Sequence, residues 1–356
     1  MSGIANLLMR AVKKSGPSLS KWIAVGNATN CASLDGINWV GVLPAQAQAV
    51  HFSSSGTVLC VGATGSGFRS TDNGSTWSNL NKGLGNGATA AITYSSVGSN
   101  AARWFAVTSN GKAALSTNDG VSFTGQTSGL NSGSSSAPFT SIVSNNSNIW
   151  VAVSSTGYCS RSSNNATSWA ALTRGLNSGN TSAAFSSVAA NGATWVAVAA
   201  SGWAARSINS GATWTALPQG LNSGSTTANF RSVQRSGNTW IAVASTGHAA
   251  RSTDDGATWT ALPQGLNSGS TTAQFVSVAA NSTTWLAISQ NGFYSKSIDD
   301  GVTWVAENSL KAVLSTFVAL NVTADSEGNW LICGQSAVMA KSIDNTATWT
   351  KLGISL

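Results

Sequence analysis

Tryptophan recurs at a nearly fixed spacing, and this repeat constrains the fold more than any other feature of the sequence. Fourteen of the fifteen Trp residues fall into two columns that recur about every 45 residues. The first column precedes an apolar run and consists of Trp22, Val58, Trp104, Trp150, Trp195, Trp240, Trp285 and Trp330. The second closes a polar turn and consists of Trp39, Trp77, Phe123, Trp169, Trp214, Trp259, Trp304 and Trp349. Such a register indicates one structural unit repeated along the chain.

Each repeat contains four short segments with the composition of strands. In the sixth repeat, segment A starts at Phe230, B at Trp240, C is Ala250 to Ser252, and D follows Trp259. Four short strands at this period are typical of a propeller blade. We therefore predict an all-β fold in which residues 1–356 form a single eight-bladed β-propeller of four-stranded antiparallel blades.

The blade count depends on how the two ends of the chain are assigned. Residues 9–16 align with residues 230–237 and would supply strand A of the first repeat. The chain would then end on strand D of the eighth repeat, with no strand exchanged between blades. A seven-bladed ring with a displaced first repeat is the alternative.

The turn between segments C and D has its own signature, Ser-x-Asp-x-Gly-x-Thr-Trp, as from Ser252 to Trp259. The Asp carboxylate can accept backbone N–H groups across a tight turn, Gly permits a backbone conformation that other residues resist, and Trp covers the hairpin. This turn is the Asp-box, or BNR repeat. The chain therefore resembles the Asp-box propellers, which include sialidases, sortilin-type receptors, xyloglucan hydrolases and photosystem II assembly factors. The resemblance covers nearly the whole chain and implies the fold, but no single function.

The chain offers few groups for catalysis. Of its nine Asp and two Glu residues, eight Asp lie in or beside the boxes. The sialidase resemblance would imply a Tyr–Glu pair, a further Asp and three Arg residues, but the Arg-Ile-Pro motif is absent. One repeated position before the box Ser holds Arg69, Arg161, Arg206, Arg251, Lys296 and Lys341, which favours a scaffold role. We predict a protein that is not an enzyme and has no catalytic residues; a sialidase-like glycoside hydrolase is the alternative.

No metal or cofactor is expected. The only two His residues lie away from any Cys pair, and no glycine-rich phosphate loop has the required context. The four Cys residues are Cys31, Cys60, Cys159 and Cys333. Residues at equivalent positions of non-neighbouring blades lie too far apart to be bridged. We predict four reduced thiols, most of them buried.

The charge distribution limits the partners. Only 8% of the residues are charged, and the basic residues behind the net charge of +7 are spread along the chain. We therefore expect no nucleic-acid partner. No apolar run is long enough to span a membrane or to act as a secretory segment. The expected product is made in the cytoplasm without a signal peptide, with incorporation into a virus particle as one destination.

The loop after segment D repeats the sequence Gly-Leu-Asn-Ser-Gly, and the turn between B and C ends in Gly followed by a variable residue. We expect both on the face opposite the boxes, where rings beside amide-rich loops would suit a glycan or a protein. The predicted ligand-binding residues are Tyr158, Trp203, His248, Phe293, Asn177, Asn222 and Asn267. In the alternative interpretation, the loop Leu fills the blade interface and Asn only shapes the turn.

The predicted function is a binding or structural module in a larger assembly, such as a virion or surface layer. A glycan-binding lectin that acts alone is the alternative.

Overall fold

The computed structural model describes residues 22–24, 30–33, 39–43, 47–53, 57–62, 67–71, 77–80, 93–100, 103–126, 130, 137–145, 147–177, 180–223, 225–267, 273–290, 292–307, 319–324, 330–334, 339–342, 344–352 and 354–355. These residues form strands, turns and four short 3-10 helices, without an α-helix. None of their helices is long and apolar enough to cross a membrane.

The strands form four-stranded sheets, numbered here in chain order. Sheet 1 contains β1 (Trp22–Ala24), β2 (Asn30–Ser33), β3 (Trp39–Leu43) and β32 (Ile354–Ser355). Sheet 2 contains β4 (Ala47–Phe52), β5 (Val58–Gly62), β6 (Gly67–Ser70) and β7 (Ser78–Leu80); sheet 3, β8 (Tyr94–Asn100), β9 (Arg103–Thr108), β10 (Ala113–Ser116) and β11 (Thr124–Gln126); sheet 4, β12 (Phe139–Ser144), β13 (Trp150–Ser154), β14 (Cys159–Ser162) and β15 (Ala170–Ala171).

Sheets 5 to 8 follow the same pattern. Sheet 5 contains β16 (Phe185–Asn191), β17 (Thr194–Ala199), β18 (Ala204–Ser207) and β19 (Thr215–Ala216); sheet 6, β20 (Phe230–Ser236), β21 (Thr239–Ala244), β22 (Ala249–Ser252) and β23 (Thr260–Ala261). Sheet 7 contains β24 (Phe275–Asn281), β25 (Thr284–Ser289), β26 (Tyr294–Ser297) and β27 (Val305–Glu307); sheet 8, β28 (Ala319–Ala324), β29 (Trp330–Gly334), β30 (Met339–Ser342) and β31 (Thr350–Leu352). The 3-10 helices are Arg174–Asn177, Ala200–Gly202, Gln219–Asn222 and Gln264–Asn267.

The sheets confirm the predicted four-stranded antiparallel unit. In sheets 2 to 8 the strand order follows the chain, from an inner strand A to an outer strand D. The inner strands of successive sheets lie against one another from β4 to β28. The protein is therefore an all-β propeller. The predicted strand A of the first repeat, residues 9–16, lies outside the described residues.

The closing strand differs from the prediction. The chain was expected to end on strand D of the last repeat, without strand exchange, and this was wrong. Strand β32 joins sheet 1 instead, parallel to β3, with Trp39 opposite Ile354 and Val40 opposite Ser355. An outer strand leaves one row of backbone N–H and C=O groups unpaired, and the last residues of the chain pair with that row.

Strand B forms the core of each sheet. In sheet 6, all residues from Trp240 to Ala244 are fully buried, because β21 lies between two strands of its own sheet and has neighbouring sheets against both faces. The pattern is a continuous apolar run rather than an alternation, as expected for a strand covered on both sides. The first-column Trp residues of sheets 3 to 8 are all buried to 0% exposure.

The C–D turn depends on its acid as the sequence predicts. In sheet 6, Asp254 Oδ1 accepts hydrogen bonds from Ser252 Oγ at 2.7 Å and Thr258 N at 2.9 Å. Trp259 Nε1 donates to Gly256 O at 3.1 Å. Desolvation raises the pKa of Asp254, but the hydrogen bonds from Thr258 and Ser252 outweigh it and lower the pKa to about 2. The acid therefore remains a charged acceptor throughout the neutral range.

A second acid, one residue further along, connects neighbouring sheets. Asp255 Oδ1 accepts from Trp240 Nε1 of its own sheet at 3.0 Å and from Asn191 Nδ2 of sheet 5 at 3.0 Å. Its backbone oxygen accepts from Arg206 Nε of sheet 5 at 2.9 Å. We call this arrangement the inter-sheet clamp: the residue after the turn acid, the first-column Trp of the same sheet, and a basic side chain of the preceding sheet.

The inter-sheet clamp recurs along the chain. The indole bond is repeated as Trp104 to Asp119 at 3.0 Å, Trp150 to Asn165 at 3.0 Å, Trp285 to Asp300 at 3.1 Å and Trp330 to Asn345 at 3.0 Å. The basic contact to the backbone oxygen is repeated as Arg69 to Asp119, Arg161 to Ser210, Arg251 to Asp300 and Lys296 to Asn345. These contacts confirm the scaffold role predicted for five of the six basic residues; the side chain of Lys341 lies outside the described part of the structure.

Substitutions at Asp255 test the clamp. Asp255→Ala leaves the buried Trp240 Nε1 without its acceptor, so the free energy of unfolding should fall by about 1–3 kcal/mol. Asp255→Asn keeps an Oδ1 acceptor, as Asn165 and Asn345 do, and should cost less than half as much. Urea unfolding followed by tryptophan fluorescence measures both. Equal losses in the two variants would contradict the clamp.

Sheet 5 contains a natural defect in this pattern. Ser210 occupies the clamp position with φ 58°, in the left-handed region that Asn and Asp tolerate better than Ser. The buried Trp195 Nε1 has no hydrogen-bond partner among the described residues. Arg161 still donates to the backbone oxygen of Ser210 at 2.7 Å. The defect is therefore confined to the side-chain bond.

Repairing this defect should stabilise the protein. Ser210→Asn supplies an acceptor for Trp195 Nε1 and suits the left-handed backbone, so the free energy of unfolding should rise by about 0.5–1.5 kcal/mol. Ser210→Ala is the control, because it adds no acceptor and should give no gain. Thermal and urea unfolding of the two variants provide the comparison. A loss or no change in Ser210→Asn would show that the indole does not need this partner.

Candidate binding surface

The B–C turn has the same backbone in five sheets. The first residue of the turn donates its N–H to the oxygen of the variable residue, at 3.0 Å for Lys112, 2.9 Å for Tyr158, 2.8 Å for Trp203, 2.9 Å for His248 and 2.8 Å for Phe293. The preceding Gly has a positive φ in every case, such as 82° at Gly157. A Cβ at Gly157 would lie 2.5 Å from Thr181 O, so both the turn and the adjacent loop require Gly.

The side chains on this common backbone differ. Lys112, Tyr158, Trp203, His248 and Phe293 are all half-buried, and we call them the B–C surface. Arg174 lies over the ring of Tyr158, with the guanidinium carbon 4.3 Å from the ring centroid. Trp203 packs with part of its surface against the core around Leu176 and Trp195. Each side chain therefore has an anchored part and an accessible part.

The repeated loop after strand D lies beside the B–C turn, as predicted. Gly175 N donates to Gly157 O at 2.9 Å, and Gln219 Nε2 donates to Ser201 O at 2.8 Å. The loop Leu residues are buried between sheets at 0–2% exposure: Leu130, Leu176, Leu221 and Leu266. The packing role that the alternative interpretation gave to Leu is therefore present in the structure.

The loop Asn residues contact the scaffold. The Nδ2 atoms of Asn177, Asn222 and Asn267 donate to the backbone oxygens of the box Trp in the next sheet, at 2.6 Å to Trp214, 2.8 Å to Trp259 and 2.8 Å to Trp304. All three Asn residues have a positive φ. Their side chains are exposed, but the amide nitrogen already has an acceptor. Ligand binding by these Asn residues stays a prediction, and the second N–H and the Oδ1 of each amide are left for it.

The candidate catalytic groups are dispersed. The described Asp residues all lie in the C–D turns. Asp299 and Asp344 accept from the box Ser, as Asp254 does, and Asp119 and Asp300 accept from a first-column Trp, as Asp255 does. Tyr94 and Tyr294 are fully buried, and burial raises the pKa of Tyr94. No group of three His, Cys, Asp or Glu residues that could hold a metal occurs in the described part of the chain.

The described thiols agree with the prediction. Cys60 and Cys159 are free and buried, and burial raises the pKa of both thiols well above the usual value. The side chains of Cys31 and Cys333 lie outside the described part of the structure.

A second candidate site lies at the centre of the propeller. The inner strands of sheets 2 to 8 surround a cavity of about 590 Å³. Its described wall contains mainly Ser, Thr, Asn and small apolar side chains, together with Arg231 and Arg235. This site was not predicted from the sequence. The available signal was the presence of two Arg residues in segment A of the sixth repeat, at positions that are uncharged in the other described sheets.

Comparison with known proteins supports the fold. No protein-family model matches the chain, and no curated protein matches its sequence. The structure of YCF48 bound to D1 peptide matches with a TM-score of 0.63 and 14% identity, covering 94% of this chain and 99% of that one. YCF48 from Cyanidioschyzon merolae matches with a TM-score of 0.61 and 15% identity, covering 92% and 99%. The computationally designed Ika8 protein matches with a TM-score of 0.64 and 13% identity, covering 98% and 99%. At these identities the likeness is one of fold.

Proposed function

We propose that the chain is a non-enzymatic member of the Asp-box propellers, with eight blades in one ring, that binds a protein partner through the B–C surface. One observation carries this proposal: five equivalent turns have the same backbone hydrogen bond and five different, half-buried side chains. A repeat protein that keeps its backbone constant and varies one partly exposed position has the organisation of a recognition surface.

The contrast with the rest of the repeat supports this reading of the variable position. Residues 214–228 and 259–273 have the same sequence, whereas the turns just before them hold Trp203 and His248. The fold therefore accepts either side chain at this position. Variation that the scaffold does not require is free to serve a partner.

The chemistry of the B–C surface favours a protein over a glycan. Trp203 and Tyr158 are side chains typical of interface hot spots, and Phe293 is of a type enriched in interface cores. A glycan site would draw on the loop amides, but each of the three loop Asn residues already gives one of its two Nδ2 donors to a scaffold oxygen. The YCF48 structure described as bound to D1 peptide is one example of a peptide ligand on a similar fold. Glycan binding is the second candidate, because Trp203 could also serve as a sugar platform.

The proposal also includes the number of blades, the absence of catalysis and membership of a larger assembly. Eight blades are supported by the succession of four-stranded sheets and by β32 joining sheet 1. The absence of catalysis is supported by the engagement of the described Asp residues in turn and clamp bonds. A place in a cytoplasmically made assembly, such as a virion, is supported by composition alone, with only 8% of the residues charged.

Replacement of Trp203 tests the proposed surface. Peptides selected from a random displayed library on the purified chain serve as the probe. Trp203→Ala should weaken their binding by about fivefold to more than a hundredfold, corresponding to about 1–3 kcal/mol for an interfacial aromatic. Ile208→Ala is the matched control, because Ile208 belongs to the same sheet, is 64% exposed and lies in the C–D turn. The affinity of the Ile208→Ala variant should be unchanged. Circular dichroism should show both variants folded, with a lower melting temperature in Trp203→Ala because Trp203 packs partly against the core.

Two results would contradict the proposal. Unchanged affinity in Trp203→Ala, or equal losses in the two variants, would place the peptide contact elsewhere. Binding on a glycan array that disappears in Trp203→Ala, with no peptide selected, would favour the lectin alternative.

A further inference from the structure

Most polar side chains in the wall of the central cavity hold the inner strands together. Ser95 Oγ donates to Phe139 O at 2.5 Å, and Ser186 Oγ donates to Phe230 O at 2.8 Å. Each bond crosses from the inner strand of one sheet to that of the next. Ser96 Oγ accepts from the backbone N–H of the following inner strand at 3.3 Å. These hydroxyls connect strands that share no backbone ladder, so they are scaffold groups.

Sheet 6 departs from this wall pattern at two positions. The place of Ser95, Thr140 and Ser186 is taken by Arg231, and the place of Ser144, Ala190 and Ala280 by Arg235. In the other described inner strands both positions hold uncharged side chains, which include Gln48, Val276 and Leu320 at the first and Phe52 at the second. Two guanidinium groups in one inner strand are therefore an addition to the scaffold.

The two Arg side chains keep most of their hydrogen-bonding capacity. Arg231 Nε donates to Ser245 Oγ at 3.3 Å, and Arg235 Nε donates to Ala190 O at 2.9 Å. Their Nη groups have no acceptor among the described residues. No Asp or Glu occurs in the described lining of the cavity. Arg231 is half-buried and Arg235 is exposed, and both line the cavity with no neutralising carboxylate among its described residues, an arrangement that attracts anions.

We infer that the central cavity binds a small molecule with two oxyanionic groups, held by Arg231 and Arg235. A guanidinium presents parallel N–H groups that match the oxygens of a carboxylate or a phosphate. The two residues are four positions apart on one strand, or about 13 Å between Cα atoms. A molecule with two anionic groups can pair with both guanidinium groups, whereas a molecule with one anionic group pairs with only one of them.

Calorimetric titration at low ionic strength tests the inference, with pyrophosphate and succinate as probes. At least one of them should bind saturably and more weakly as NaCl is raised. Arg231→Ser and Arg235→Ala introduce the side chains of neighbouring sheets, so both variants should fold. Each should weaken binding at least tenfold, and the double variant should abolish it.

Val276→Ser provides the matched control. Val276 is the equivalent of Arg231 in sheet 7, and the substitution introduces the same Ser without removing a charge. Its affinity should equal that of the native chain. Binding of pyrophosphate alone would identify a phosphate-bearing ligand, and binding of succinate alone a dicarboxylate.

The inference fails if neither probe binds the native chain saturably, if Arg231→Ser and Arg235→Ala bind as the native chain does, or if Val276→Ser loses as much affinity as Arg231→Ser. It is independent of the B–C surface, so Trp203→Ala should bind the anion normally.

Discussion

The hydrogen bond from a buried indole to the residue after the turn acid is the interaction on which the rest of this structure depends. Trp240 Nε1 cannot be solvated at the centre of its sheet, and Asp255 supplies its acceptor. The same residue receives Arg206 from the preceding sheet through its backbone oxygen. One position thus satisfies a core donor, fixes the C–D turn to strand B and joins two sheets. Apolar packing between sheets has little directionality. We therefore assign the alignment of neighbouring sheets to these clamps and to the serine bridges of the inner strands.

These contacts distinguish the residues that the fold requires from those that it does not. The boxes, the basic position before them and the loop Leu residues all have partners within the fold, which accounts for their repetition. What remains is a small set of residues that the repeat does not require: the variable side chains of the B–C surface and the Arg pair of sheet 6. The first set lies at one face of the propeller, and the second lies in the central cavity. The two sites can therefore serve different ligands.

The sequence predicted much of the fold because two Trp columns mark strands B and D directly. The repeat also predicted that the loops lie beside the B–C turns and that Trp203 is partly exposed, and the structure shows both. The clamp was not predicted because Asp255 directly follows the box acid Asp254 and was therefore assigned to the box itself. The available signal was the run of Asp and Asn one residue after that acid. Strand β32 is too short to carry a pattern, and the bond from Asn177 to Trp214 joins residues 37 apart through a left-handed turn.

The most direct test of the clamp is the ¹H–¹⁵N spectrum of the indole groups, assigned by single Trp→Phe substitutions. A hydrogen bond to a carboxylate or amide oxygen moves an indole proton downfield. We predict that the indole protons of Trp104, Trp150, Trp240, Trp285 and Trp330 lie downfield of that of Trp195. Ser210→Asn should move the Trp195 signal toward the others and leave their positions unchanged. A Trp195 signal that already lies among the others, or does not move in Ser210→Asn, would contradict the clamp as the organising contact of the fold.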